Sequence, residues 1–141
     1  MENELVRDRL AMLAGMKPTL KEGRYYFCTT NDVDVVTSLS SRSLATFREN
    51  EGVALVLEES DAKRHGFSLA MPMARIVLEV FSALDGVGLT AGVATALADH
   101  GIPCNMIAAY YHDNVFVPEG MAQRAIEILS LVQREACATR S

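Results

Sequence analysis

Basic residues are the scarce component of this sequence. The 141 residues include 13 Lys and Arg against 18 Asp and Glu, which gives a net charge of -5. The Lys and Arg residues do not form a cluster along the chain. Proteins that bind nucleic acids usually present a basic face to the phosphate backbone. We therefore expect no nucleic-acid partner.

Long apolar runs are also missing. The uncharged stretch 86–98 is bounded by Asp85 and Asp99 and is too short to span a bilayer. The first residues, Met1 to Glu4, are acidic and do not lead into an apolar stretch, as a secretory signal would. We therefore expect no membrane partner and a cytoplasmic location. The length allows one ordinary domain or two very small ones.

Cysteine is sparse, and its spacing excludes two common uses. Cys28, Cys104 and Cys137 are far apart and form no Cys-x-x-Cys pair. Neither a disulfide framework nor a zinc site follows from such a pattern. Cys28 and Cys104 are expected in the core and Cys137 in a polar tail, and no cofactor is expected.

The segment 74–119 carries the clearest structural pattern. Ile76, Leu78 and Val80 alternate at period two, which predicts a strand with one face toward a core. Two glycines then precede a run of apolar residues at helical spacing, and Gly101 with Pro103 predicts the end of that helix. A second strand at 105–111, a turn at 112–114 and a third strand at 115–117 follow.

The order strand, helix, hairpin separates two architectures. A Rossmann unit would continue with a parallel strand and another helix, whereas here the strand after the helix turns back on itself. A closing helix is predicted by one apolar face, made of Ala122, Ala125, Ile126, Leu129 and Val132. The fold class is therefore α+β, a ferredoxin-like βαββαβ antiparallel sheet with helices on one face.

The first half has a similar but less regular pattern. It predicts a helix at 4–14, strands at 24–30, 44–49 and 53–58, and a short helix at 60–66 capped by Ser60 or Asp61. The stretch 31–42 has no periodicity and is interpreted as a loop with at most a helical turn. We therefore predict a duplication with a degenerate first half. The expected domains are residues 1–68 and 69–133, followed by a flexible tail at 134–141.

Four stretches resemble the ACT domain. They are 84–91 (LDGVGLTA), 100–108 (HGIPCNMIA), 112–118 (HDNVFVP) and, in the first half, 47–52 (FRENEG). The resemblance covers roughly residues 12 to 133 and is strongest to small bacterial proteins made of two tandem ACT-like domains. That group often carries a second histidine in the turn before Phe116, where this chain has Asn114.

The resemblance implies a non-catalytic regulatory module that binds an amino acid or a similar small molecule. The family's binding elements are the turn after the first strand and the second strand of a neighbouring domain. In this chain they are Leu84, Asp85, Gly86, Val87, Gly88, Leu89, Asn105, Met106 and Ile107. Amide groups at a helix start suit a carboxylate, and Asp85 could accept a hydrogen bond from a ligand ammonium group.

Several alternatives stay open on the sequence alone. Gly86 and Gly88 also suit a tight turn with no ligand, and their spacing with Gly92 imitates a dinucleotide fingerprint for which Asp113 would be the ribose acid. His112 and Asp113 could form part of a metal-dependent enzyme site, although turn chemistry is the simpler interpretation.

The assembly state leaves a further alternative. Tyr110 and Tyr111 are predicted on opposite faces of a strand, one in the core and one able to reach a partner chain. We expect a homodimer. An oligomeric scaffold with a vestigial ligand site is the alternative to the ligand-binding module.

Overall fold

The computed structural model describes residues 8–80 and 88–140. These residues form five α-helices, one 3₁₀ helix (Glu119–Met121) and seven strands, and the chain divides into two compact units. We call Gly23–Met73 the continuous unit. Met1–Glu22 and Ala74–Ser141 together form the discontinuous unit. None of the described helices combines the length and the apolar character needed to cross a membrane.

The continuous unit contains three strands and two short helices. Its elements are β2 (Tyr25–Thr30), α2 (Val33–Leu39), β3 (Ala45–Glu49), β4 (Gly52–Glu58) and α3 (Glu59–Arg64). β4 lies between β3 and β2 and is antiparallel to both, with Phe47 opposite Ala54 and Phe27 opposite Val56. Its core contains Leu39 of α2, Ala62 of α3, and Leu55 and Leu57 of β4.

Helix α2 corrects the prediction for residues 31–42, which were interpreted as a loop. Asp32 begins the helix and its carboxylate accepts bonds from the amides of Asp34 and Val35. Such a cap stabilises a short helix whose sequence shows little periodicity, and only Leu39 is fully buried. The predicted cap of α3 is also wrong, because Glu58 precedes that helix and Asp61 lies inside it, buried.

The discontinuous unit begins with α1 (Arg9–Gly15) and β1 (Pro18–Leu20). After the continuous unit come β5 (Met73–Leu78), α4 (Leu89–Asp99), β6 (Asn105–Ala108), β7 (Asp113–Pro118) and α5 (Ala122–Arg140). The strands are ordered β1, β5, β7, β6, with β1 antiparallel to β5 and β6 antiparallel to β7. β1 thus takes the place beside β5 that the closing strand of a βαββαβ unit would fill.

The predicted fold class is confirmed by this arrangement. Strands β5, β6 and β7 with helices α4 and α5 appear in the predicted order, and the core lies between the sheet and the helices. α4 ends as expected, because Gly101 has a φ of +71° and the amides of Gly101 and Ile102 bond to the carbonyls of Ala98 and Leu97.

Two expectations for this unit are wrong. β6 ends at Ala108, so Tyr110 and Tyr111 lie in the connection to β7 and are both exposed, 69% and 56%. α5 continues through residues 134–140, which were expected to be a flexible tail. The apolar face of α5 extends into this region, because Ala136 is buried in the core.

Candidate functional site

The predicted ligand site is divided between two elements. Gly88 and Leu89 lie at the start of α4, and Asn105, Met106 and Ile107 lie on β6. The remaining predicted residues, Leu84, Asp85, Gly86 and Val87, are outside the described residues.

Gly88 forms the start of α4. Its φ is +101°, a conformation that side chains other than glycine rarely adopt, and its carbonyl accepts the amide of Gly92 at 2.8 Å. Since glycine has no side chain to cap the helix, the first amides of α4 depend on other groups. The next residue, Leu89, is buried in the core and anchors the helix start. α4 therefore begins with amide groups suited to an anion.

Arg9 lies directly over this helix start. A Cβ placed on Gly88 would lie 2.7 Å from Cδ of Arg9 and 3.0 Å from its Cβ. A Cβ placed on Gly92 would lie 3.6 Å from the Arg9 Nε. Both glycines therefore allow α1 to approach α4 closely, and a cationic side chain lies beside the positive end of the α4 dipole. An anionic group would be attracted by both.

Sequence reasoning missed Arg9, although it identified the glycines. Arg9 belongs to α1, and no local pattern links it to a turn far along the chain. The one available signal was the pair Gly88 and Gly92, whose spacing of four places both on one side of a helix. Such a pair indicates close approach by another element without saying which one.

Strand β6 lies at the edge of the sheet in the discontinuous unit. Asn105 is exposed and pairs with Phe116, whereas Met106 and Ile107 are half-buried. Met106 packs against the core. The exposed amide of Asn105 therefore remains the most accessible polar group of the predicted β6 residues, with both a donor and an acceptor to offer.

The segment from His112 to Asn114 is more ordered than a simple turn. His112 Nδ1 lies 3.3 Å from the carbonyl oxygen of Val80. The side chain of Asn114 accepts a bond from Nε of Arg75 at 2.9 Å and donates one to the carbonyl of Ile107 at 3.3 Å. Asn114 thus links β5, β6 and β7, which gives a structural reason for an amide here.

Asp113 is buried at the start of β7. It is 7% exposed, and burial raises the pKa of its carboxyl above the ordinary value, while the charge of His112 lowers it less. Among the described residues, no group of three or more His, Cys, Asp or Glu side chains could hold a metal ion. Because β7 pairs antiparallel with β6, Asp113 does not occupy the end of a parallel strand, as the acid of a dinucleotide site would.

Comparison with known proteins supports the fold. Two family models, both described as ACT domain, match residues 7–74 and 74–130. A search of curated proteins finds no match.

Solved structures are also similar to this chain over most of its length. A Vibrio cholerae protein of unknown function, described as a possible transport protein, is 43% identical over 88% of this chain and 94% of its own, with a TM-score of 0.77. The ligand-free regulatory subunit of aspartate kinase from Thermus thermophilus is 12% identical, with a TM-score of 0.62 over 82% of this chain and 95% of its own.

A putative C-terminal regulatory domain of aspartate kinase from Porphyromonas gingivalis matches at 14% identity and a TM-score of 0.56, covering 84% of this chain and 96% of its own. At such identities these aspartate kinase structures show the fold alone. The paired family models cover nearly the whole sequence, and the chain belongs to the ACT domain family, with two ACT domains in tandem.

Proposed function

We propose that this protein is a non-catalytic regulatory module that binds a free amino acid. The ligand carboxylate would bind at the turn 84–89 and the start of α4. The observation that supports this most directly is the start of α4, where Gly88, with no side chain to form a cap, lies beneath the side chain of Arg9. ACT domains are typically regulatory and bind small molecules, and several structural relatives are regulatory parts of aspartate kinases.

The second part of the proposal concerns β6. Its exposed Asn105, with Met106 and Ile107, would complete the site in a neighbouring domain or in the second subunit of a homodimer. An edge strand favours such an arrangement, because it can pair with another chain. A cytoplasmic location is part of the same proposal.

A thermal-shift panel of the proteinogenic amino acids at millimolar concentration tests the binding proposal. A ligand at one hundred times its Kd adds about 2.7 kcal/mol to stability. We expect at least one amino acid to raise the unfolding midpoint and the shift to decrease in Asn105→Ala. No shift with any amino acid would contradict the proposal.

A scaffold function is the second candidate, and one observation favours it. Phe47 is 74% exposed on β3, which is an edge strand of the continuous unit. A large exposed aromatic on a strand edge is suited to contact with another chain. Light scattering of Phe47→Ser distinguishes the two candidates. A scaffold loses its oligomeric state with this change, whereas amino-acid binding at α4 persists.

A further inference from the structure

The contacts of the described residues do not explain the buried acid Asp113; the adjacent His112 acts on it through its charge, which lowers the pKa of Asp113. Within the described part of the chain, its carboxylate forms no hydrogen bond or ion pair. In the described residues, every side-chain nitrogen or oxygen that is fully shielded from solvent has a hydrogen-bond partner. Since the Asp113 oxygens have none, they retain some contact with solvent. Asp113 therefore presents a largely dehydrated carboxylate whose oxygens remain in contact with solvent.

The local backbone does not require this carboxylate. The connection between β6 and β7 is closed by the amide of Ala109, which donates to the carbonyl of His112 at 3.0 Å, and by the pairing of Ala108 with Asp113. The side chain of Asn114 supplies the cross-strand bonds. Turn formation is the simplest interpretation of an aspartate here, but these other groups already stabilise the turn.

Retaining such a carboxylate is unfavourable for stability. Removing a charge from water without a compensating hydrogen bond costs free energy. The pKa of the carboxyl therefore rises, which favours its neutral form. Groups of this kind are concentrated at functional sites, where a ligand supplies the missing partner. The missing partner of a carboxylate is a cation or a hydrogen-bond donor.

The surroundings favour an organic cation. Asp113 lies on the same side of β7 as Val115 and Val117, which are fully buried in the core, so the carboxylate is bordered by apolar groups. The preceding connection carries the exposed Tyr110 and Tyr111, whose ring centroids are 4.9 Å apart. Ammonium and guanidinium groups bind aromatic faces and dehydrated carboxylates, and here the two kinds of group lie within four residues of each other in the sequence.

We propose that Asp113 is the acceptor for the cationic group of the ligand, an ammonium or a guanidinium. This rests on the proposed function where it identifies the ligand as an amino acid. The sequence suggested Asp85 as the acceptor for the ligand ammonium group, and this proposal assigns that role to Asp113 on β7. The ligand class is thereby narrowed to molecules that carry a primary ammonium or guanidinium group.

The first test is the stability of Asp113→Asn in the absence of ligand. This isosteric change removes the dehydrated charge, so the midpoint of thermal unfolding at neutral pH should rise. Asp99→Asn, which neutralises an exposed carboxylate at the end of α4, is the matched control and should raise the midpoint less than Asp113→Asn, because it relieves only the interaction of that charge with the helix dipole. A lower midpoint for Asp113→Asn would overturn the inference, because it would show that the carboxylate stabilises the free protein.

The second test measures the cation directly. Methylammonium chloride, which carries no carboxylate, is titrated against nitrogen-15-labelled protein with sodium chloride as the salt control. We expect amide shift changes around Asp113 in the unmodified protein and in Asp99→Asn, and their loss in Asp113→Asn. Absence of such changes in the unmodified protein would refute the cation site.

The amino-acid panel separates this inference from the proposed function. An amino acid that binds should lose about 10- to 100-fold in affinity in Asp113→Asn, and its N-acetyl derivative should not bind. Unchanged amino-acid binding in Asp113→Asn would leave the proposed function intact and exclude Asp113. Methylammonium binding without any amino-acid binding would support Asp113 and remove the amino acid as ligand.

Discussion

Both units contain the order strand, helix, two strands, helix, but their buried acids differ in whether they have a partner. In the continuous unit, Asp61 is 3% exposed and its Oδ1 accepts from the Arg42 Nε at 2.7 Å, with Arg64 at 3.6 Å. In the discontinuous unit, Asp113 is 7% exposed and has no such partner among the described residues. The carboxylate of Asp61 is therefore neutralised by side chains of its own unit, whereas we assign the carboxylate of Asp113 to a ligand.

The helix after β2 in the continuous unit and the helix after β5 in the discontinuous unit show the same contrast. α2 begins at Asp32, whose side chain caps it, and α4 begins at Gly88, which has no side chain. A capped helix start has its amides satisfied internally, and a glycine start leaves them available. The continuous unit thus satisfies its helix start and its buried acid internally, and the features that suit the proposed ligand are found in the discontinuous unit.

The largest effect is expected from Gly88→Ala. The new Cβ would be strained by the positive φ and would overlap the Arg9 side chain, so we expect a loss of about 2 to 4 kcal/mol. Gly66→Ala is the matched control, because Gly66 also has a positive φ, +75°, but no atom within 4 Å of the added Cβ. It should cost about 1 kcal/mol. Equal costs in urea denaturation would show that Arg9 does not pack on Gly88.

Arg42→Gln should come next. It removes a charge-assisted hydrogen bond to buried Asp61, and we expect a loss of stability in urea denaturation that exceeds the loss in Arg64→Gln. The bonds also raise the pKa of the Arg42 guanidinium. Arg64→Gln, which removes a more distant and more exposed charge from the same carboxylate, should cost less than about 1 kcal/mol. A cost for Arg42→Gln no larger than that of its control would remove the contrast with Asp113.

Asp32→Ala should have a smaller effect. The change removes the carboxylate that accepts from the Asp34 and Val35 amides, at 2.9 and 3.4 Å, and should cost about 1 kcal/mol. Asp34→Ala removes the same charge from the same turn without removing the cap and should cost about 0.3 kcal/mol. Chemical denaturation of the pair would contradict the capping argument if the two costs were the same.

The smallest effect concerns pH. Because burial raises the pKa of folded Asp113, the folded state binds more protons than the unfolded state in the window from about 4 up to the raised pKa. In that window, the contribution of Asp113 makes the protein more stable as pH falls. Glu79 acts oppositely, since its bond from Thr19 lowers its pKa and the associated stability is lost on acidification.

The two contributions can be separated by substitution. Subtracting the unfolding free energy of Asp113→Asn from that of the unmodified protein at each pH should give a difference that rises as pH falls through the window. Thr19→Val should remove the opposing contribution of Glu79. A difference curve with the reverse slope would show that the folded carboxyl of Asp113 is stabilised in its charged form.

The sequence predicted the fold from short-range patterns. Period-two alternation at Ile76, Leu78 and Val80 located β5, and Gly101 with Pro103 located the end of α4. Both signals act between neighbouring residues, so a single sequence contains them. Helix α2 was missed because its stability comes from one cap at Asp32, and only Leu39 of its residues is fully buried.

The candidate site was less predictable for a physical reason. The Arg9 contact with Gly88 joins elements that are distant in sequence, and the dehydration of Asp113 depends on tertiary burial. An aspartate after histidine in a hairpin has the local sequence of an ordinary turn. Its unusual property appears only when the surrounding strands exclude water.

The position of α1 and β1 ahead of the continuous unit has a consequence for how the chain folds during synthesis. α1 is made before the continuous unit, yet it packs against α5, which is made after it. The continuous unit and the pairing of β1 with β5 can form while the ribosome is still adding later residues, but α1 lacks its partner until α5 has been made. Long separation between contacting segments slows folding. A product that stalls before α5 would therefore expose the face of α1 that packs on α5.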